Sequence, residues 1–330
     1  MKKRNDTKRH ILEYIAAALL AAALGFFAIA AILCLGPFGQ LDSGSSGSAG
    51  GGSFDIESED FFLLNEDGTY TYGEIVSPVS DEPCPLVCIS HGIYGSLNSG
   101  GARLLSEMLA GSGIAAVRVD FNRCLTDDPA KALAKDKSGR TNEYTLSDML
   151  ESNMLAIHYA EKNYNIDEDR IGVYGRSFGG RVAMIMGNES WGGIDYKAMA
   201  LIAPAGNEYA LIHYVGGQEE WDRIREAVKR DGKYKRGNLI MTQQWFDEYY
   251  EMNPALTGYK FGDKPVMVYY NTEDDVVEPE TSLDCAHAYS NVAIYEVTTD
   301  DGHGYEMSYE HSQIKDEIMN RVVTFFKENL

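Results

Sequence analysis

The chain has 330 residues, 44% of them hydrophobic, which is enough to bury one large core. Its formal charge is -21, and five of its 29 Lys and Arg lie in the first ten residues, so the remainder lacks the basic clusters that phosphate backbones require. No nucleic-acid partner is expected, and the acidity reads as a solvated surface. In chain order, basic "MKKRNDTKRH" (1–10) precedes a stretch from 14 to 35 with 22 residues and no charge, close to the ~20 that a spanning helix needs. Residues 11–36 are therefore expected to form a transmembrane signal-anchor, with a cytoplasmic basic end and the rest of the chain on the extracytoplasmic side of the cell membrane. A cleaved signal peptide is the rival, with Ala28-Ile29-Ala30 as its site, although the apolar run continues past it. Lipidation of Cys34 ranks third, because Leu33 stands where a small residue is expected. Residues 37–53 contain "SGSSGSAGGGS", which cannot bury apolar surface and reads as a flexible tether.

Beyond the tether neither an internal repeat nor a second linker is found, and 54–330 reads as one domain. Apolar runs rich in Val, Ile and Tyr occur at 70–76, 85–90, 114–120, 170–175, 197–204, 265–271 and 292–298. Their lack of polar alternation is that of parallel strands covered on both faces. Helical patterns lie between them. That at 145–164 places Met149, Met154, Leu155, Ile157, His158 and Ala160 along faces spaced by three and four, and another closes the chain at 313–328. The alternation predicts an α/β fold, a mostly parallel sheet with helices on both faces. Residues 206–262 interrupt it with helical, aromatic-rich sequence and no clear strand. They read either as a cap over the strand ends, with Trp221, Trp245, Tyr249 and Tyr250 available to line a pocket, or as a helical excursion that only packs. Of the five cysteines, Cys84 and Cys88 are too far apart along an extended run to bridge each other, and the remaining pairings stay open.

The stretch "VYGRSFGGR" (173–181) contains G-x-S-x-G, a motif that chance alone would supply roughly 0.1 to 0.2 times in such a chain. Context gives it weight. A strand pattern runs directly into Ser177 and a helical pattern follows it, as a nucleophile elbow requires, with Gly175, Gly179 and Gly180 where the tight turn leaves no room for side chains. A hydroxyl needs a base to take its proton and a carboxylate to orient that base. Downstream, "NTEDD" ends one strand with Asp274 and Asp275, and "DDGHGYE" follows the last strand with His303 between glycines. The order Ser, Asp, His is the one this arrangement uses. Upstream, "SHGIYG" ends an early strand at His91-Gly92, so the N–H of Ile93, with that of Phe178, is placed to form an oxyanion hole.

These pieces resemble the α/β-hydrolase superfamily of serine hydrolases, over nearly all of 70–330. Within it, "SHGIYGS", "GIAAVRVDFN", "AIHYAEKNYNIDEDRIGVYGRSFGGRVAM", "ALIAPA", "KPVMVYYNTEDDVVEPETS" and "DDGHGYE" are similar to feruloyl or cinnamoyl esterase-like and dienelactone hydrolase-like members. The resemblance implies a triad of Ser177, Asp274 and His303; a small-molecule ester substrate is expected, and, with no metal-binding motif in the chain, no cofactor or metal. Two departures stand out. "DFNRCLTDDPAKALAKDKSGR" replaces a G-x-G-x-S loop after Asp120, and Asn271 stands where relatives have Gly, which keeps Asp275 open as the acid. Arg176, inside the motif, reads as a surface residue or as a ligand for an acidic substrate group. The expected activity is carboxylic ester hydrolysis through an acyl-enzyme. A serine peptidase of the same fold and a non-catalytic binding protein are the alternatives. The imidazole of His91 is expected to be structural and His158 to be core. Neither H-E-x-x-H nor a Walker loop is present.

Overall fold

The structure, a computed structural model, describes residues 54–237 and 239–330. Its strands are β1 (Ile56–Leu64), β2 (Tyr70–Pro78), β3 (Cys84–Ser90), β4 (Ala115–Val119), β5 (Ile166–Arg176), β6 (Ala198–Ile202), β7 (Lys233–Arg236), β8 (Leu239–Thr242), β9 (Val266–Asn271) and β10 (Val292–Val297). Its α-helices are α1 (Ala102–Gly111), α2 (Pro129–Ala132), α3 (Leu146–Asn163), α4 (Phe178–Glu189), α5 (Tyr209–Val215), α6 (Gln218–Asp231), α7 (Gln243–Glu251), α8 (Pro279–His287) and α9 (Gln313–Asn329). Eight strands form one sheet in the order β1-β2-β4-β3-β5-β6-β9-β10. Pairings from β4 to β10 are parallel, while β1 with β2 and β2 with β4 are antiparallel.

All seven expected strands are present, and the central ones are buried on both faces. Along β3, Leu86 and Cys88 join the core beneath α3 and α4, whereas Val87 and Ile89 join the core beneath α1 and α9. This two-residue period across two apolar layers is why the run carries no polar alternation. Helix α3 starts at a capping box in which Thr145 and Asp148 satisfy each other's backbone N–H groups. It buries Leu146, Met149, Leu150, Ala156, Ile157 and Ala160 and leaves His158 exposed, so the expectation of a core histidine is corrected. Strand β1 escaped the sequence reading because "IESEDFFLL" lies at the sheet edge, where Glu57, Glu59 and Asp60 meet solvent.

The membrane helix expected over 11–36 falls on residues outside the described part. No helix among the described residues is long and apolar enough to cross a membrane, and residues 1–10, 11–36 and 37–53 lie outside the described part. The expected architecture is corrected accordingly to the α/β domain. The four described cysteines, Cys84, Cys88, Cys124 and Cys285, are free and buried.

Residues 206–262 are helical as expected but also contain the antiparallel hairpin of β7 and β8. Its first strand, "KYKR", is too polar to read as a strand. Trp221, Trp245 and Tyr249 are fully buried here. Trp245 stacks on Tyr249 at 5.5 Å and on Phe178 at 6.4 Å between ring centroids, so these rings fasten the insertion to α4 and do not line a pocket. Arg181 of α4 is fully buried as well and donates to the carbonyls of Ala205, Asn207, Tyr249 and Met252, with its guanidinium 4.0 Å from the Tyr249 ring centre. Substituting Arg181→Met leaves the carbonyls of Ala205, Tyr249 and Met252 without this donor, Asn207 keeping its bond from the Tyr249 hydroxyl, and is expected to cost about 3 kcal/mol or more. The urea midpoint checks this, and a loss under about 1 kcal/mol would show that the carbonyls find other partners.

Candidate active site

Strand β5 ends at Arg176 and α4 begins at Phe178, so Ser177 alone turns the chain. Its φ of 57° and ψ of -125° fall in a region that favours glycine, a strain of roughly 1–3 kcal/mol held by the surrounding structure. The turn is tight because backbones touch. A Cβ on Gly175 would collide with the backbone of Gly179, and one on Gly179 with the backbone of Ser90. The first N–H groups of α4 have no intrahelical partner, and its positive dipole end lies at Ser177.

Register brings the next piece alongside. Ser90 of β3 pairs with Gly175 of β5, so the chain leaving β3 passes Ser177, and a Cβ on Gly92 would stand 3.5 Å from the Ser177 Oγ. His91 is buried; its Nε2 accepts from the Phe121 N–H at 3.2 Å, which assigns the proton to Nδ1, the donor to the Gly92 carbonyl at 2.7 Å. That carbonyl also accepts from the Gly95 N–H at 3.0 Å. In a trans peptide the N–H opposes the C=O, so fixing the Gly92 oxygen also fixes the direction of the Ile93 N–H.

Burial holds the His91 pKa below its ordinary 6.5, against a weaker opposing pull from Asp120. Below pH 6.5 the unfolded chain therefore takes up a proton that the folded chain refuses, and stability falls as pH falls through the folded-state value. Between pH 7 and 5 the wild type is expected to lose more thermal stability than His91→Asn, as melting curves across that range would reveal. Equal slopes would contradict a buried neutral imidazole.

The other two expected residues meet at the ends of β9 and β10. The imidazole Nδ1 of His303 lies 2.8 Å from Oδ2 of Asp274. Asp274 is buried, and its Oδ1 accepts from the N–H groups of Val276 and Val277 at 3.0 and 2.9 Å. Asp275 is exposed and, among the described residues, only its backbone carbonyl is engaged, by His213 at 3.0 Å, so the structure brings Asp274 and not Asp275 to the histidine. Asn271 has a use that Gly could not supply: its Nδ2 donates to the carbonyls of Thr299 and Gly302 at 3.0 and 2.8 Å, fastening the loop that carries His303.

Ser177, His303, Gly92, Ile93 and Tyr174 line one cavity of about 140 Å³. The hydroxyl of Tyr174 is buried without a partner among the described residues, a feature that a strand residue in an apolar run gives no sign of in sequence. A second cavity of about 410 Å³ shares Gly95 and Ser99 with the first and is walled by Tyr94, Leu133, Lys135, Lys137 and Arg140. Apart from Tyr94, that wall belongs to 120–140, the segment expected to stand in place of the G-x-G-x-S loop. It is held by Arg140 on Asp120 and by buried Arg123 among Asp67, Asp148 and Glu151. A cavity of about 710 Å³ includes Cys84 at the opposite end of β3 and none of these residues.

No family model and no curated protein matches the chain. Solved structures do match. Est1E from Butyrivibrio proteoclasticus superposes with a TM-score of 0.60 at 20% identity, over 82% of this chain and 98% of that one. Est1E with ferulic acid bound gives a TM-score of 0.62 at 20% identity, with the same coverage. The α/β hydrolase GrgF from Penicillium sp. sh18 gives 0.59 at 16% identity, over 83% and 99% of the two chains. The chain has the α/β-hydrolase fold. An esterase of Pyrobaculum calidifontis, with a TM-score of 0.57 at 20% identity over 84% of this chain and 86% of that one, shares it. In this fold ligands bind beyond the carboxyl ends of the parallel strands, and Ser177, Asp274 and His303 follow β5, β9 and β10 there.

Proposed function

We propose that this α/β-hydrolase-fold protein is a serine hydrolase that cleaves carboxylic esters. The observation that carries the reading is a serine on a strained strand-to-helix turn, sharing a cavity with a histidine whose far nitrogen is held by a buried carboxylate. His303 takes the Ser177 proton as Oγ attacks the ester carbonyl, and the oxygen turned oxyanion is held by the N–H groups of Ile93 and Phe178. The alcohol leaves with the proton from His303. Water then attacks the acyl-enzyme with His303 again as base, releasing the acid and restoring Ser177. Asp274 fixes the His303 tautomer and stabilises the imidazolium formed in each half-reaction.

The cavity at Ser177 is well below the 300–1,000 Å³ that houses a drug-sized ligand, so it takes a short acyl group, and the adjoining 410 Å³ cavity takes the rest of the substrate. A panel of p-nitrophenyl acetate, butyrate and decanoate, methyl ferulate, and aminoacyl and prolyl anilides tests both statements. Expected is turnover of the short esters with kcat/KM at least about tenfold above the decanoate. Anilide turnover with inert esters would replace the esterase reading by the peptidase one. Inertness to all of them, with no labelling by a fluorophosphonate, would leave a binding protein.

A further inference from the structure

We infer that Arg176 is a positioning residue that locks the His303 loop to the nucleophile turn, a role resting on the reading of Ser177 and His303 given above. Arg176 immediately precedes Ser177 at the end of β5. Its Nη2 donates to the carbonyl of His303 and, at 3.1 Å, to that of Gly304. Two charge-assisted bonds from one nitrogen thus span the gap between the strand that presents the nucleophile and the loop that presents the base.

The loop needs such a hold. Gly302, Tyr305 and Glu306 have φ of 53°, 54° and 54°, and for the last two, which are not glycine, this backbone persists only where the surroundings enforce it. Asn271 ties the loop to β9, and Asp301 closes it on itself by accepting from the Glu306 N–H at 2.7 Å. Arg176 ties it to β5. The guanidinium also lies 5.8 Å from the centre of the Tyr305 ring, which is fully buried beneath it. Space for the group is provided by the segment after β3: a Cβ on Gly100 would collide with Nη1 of Arg176.

His303 is therefore fixed at two points, its carbonyl by Arg176 and its Nδ1 by Asp274, in the cavity that Ser177 also lines. Arg176 also lines the cavity that holds Ser177 and His303, but its Nη2 is spent on the loop, so its action on the reaction runs through the base. Misplacing a reacting group by about 1 Å can cost on the order of a hundredfold in rate, so the effect belongs in kcat.

The test uses the full-length wild type with Arg176→Met, Arg176→Lys and Gly100→Ala, measuring kcat and KM on p-nitrophenyl acetate and hydrogen exchange of a peptide covering 302–307. Arg176→Met is expected to lower kcat by roughly 30- to 100-fold with KM within about threefold, and to speed exchange in 302–307. Arg176→Lys should recover only part of the loss, because an ammonium lacks the planar fork. Gly100→Ala should move kcat and exchange in the same direction with the arginine still present, and it carries the test if Arg176→Met does not fold. A rise in KM at unchanged kcat would overturn the proposal in favour of a substrate contact. Unchanged exchange in 302–307 would overturn it outright. Exchange requires no turnover, so a wild type inert to esters would defeat the catalytic reading while the anchoring is still decided by the loop.

Discussion

Ser177→Ala is expected to lower ester turnover by at least about 10⁴-fold, to abolish fluorophosphonate labelling, and to leave the melting temperature within a few degrees of wild type. The size follows from the proposed chemistry: without Oγ no acyl-enzyme can form, and the N–H groups of Ile93 and Phe178 would have no tetrahedral intermediate of serine to hold. The small thermal effect follows from geometry, since alanine keeps the Cβ and therefore the same strained φ of 57°. Ser177→Gly separates the two consequences. It is expected to be as inactive as the alanine variant and more stable, by about 1 kcal/mol, because glycine adopts this backbone at little cost. Thermal denaturation of the two variants side by side checks it. A glycine variant less stable than the alanine variant would contradict a strained turn.

Asp274→Asn is expected to lower kcat by about 10⁴-fold while Asp275→Asn stays within about twofold of wild type. The contrast rests on placement. Asp274 is buried and uses both oxygens, Oδ1 on the N–H groups of Val276 and Val277 and Oδ2 on the His303 Nδ1. An amide offers one acceptor oxygen. If that oxygen keeps the two backbone donors, its NH₂ faces His303 Nδ1, favours the tautomer protonated on Nε2, and removes the base from Ser177. Asp275 is exposed and its carboxylate touches none of these groups. Single-turnover rates on p-nitrophenyl acetate measure both variants. A large loss in Asp275→Asn with activity retained in Asp274→Asn would move the orienting role to the neighbour.

Much of this was legible in sequence because a buried parallel strand advertises itself. Runs such as "PLVCIS" are apolar on both faces for a physical reason, and the turns that follow them must use Gly where backbones touch, as at Gly175 and Gly179. Of the two carboxylates after β9, Asp274 was the expected acid and Asp275 the one left open, and burial separates them. What stayed illegible depended on partners far along the chain. The acid-rich β1 is a strand only because β2 pairs with it, and "KYKR" only because "LIMT" does. His158 sits at helical spacing from apolar neighbours yet points outward, since three- and four-residue steps are shared by two adjoining faces. The tryptophans of the insertion looked available to a ligand and are packed on Tyr249 and Phe178. Arg176 was the one charged residue inside the motif, and its acceptors, the carbonyls of His303 and Gly304, carry no side-chain signature at all.

The most direct measurement is the site of covalent modification. The full-length protein is treated with a fluorophosphonate or caught during turnover of p-nitrophenyl acetate, digested with trypsin and examined by mass spectrometry. Cleavage after Arg176 and Arg181 releases Ser177–Phe178–Gly179–Gly180–Arg181, so Ser177 lies in a peptide of its own. The expected result is one added phosphonyl or acetyl group on that peptide, absent in Ser177→Ala. Ester turnover that continues with the peptide unmodified, or an adduct on another residue, would contradict Ser177 as the nucleophile.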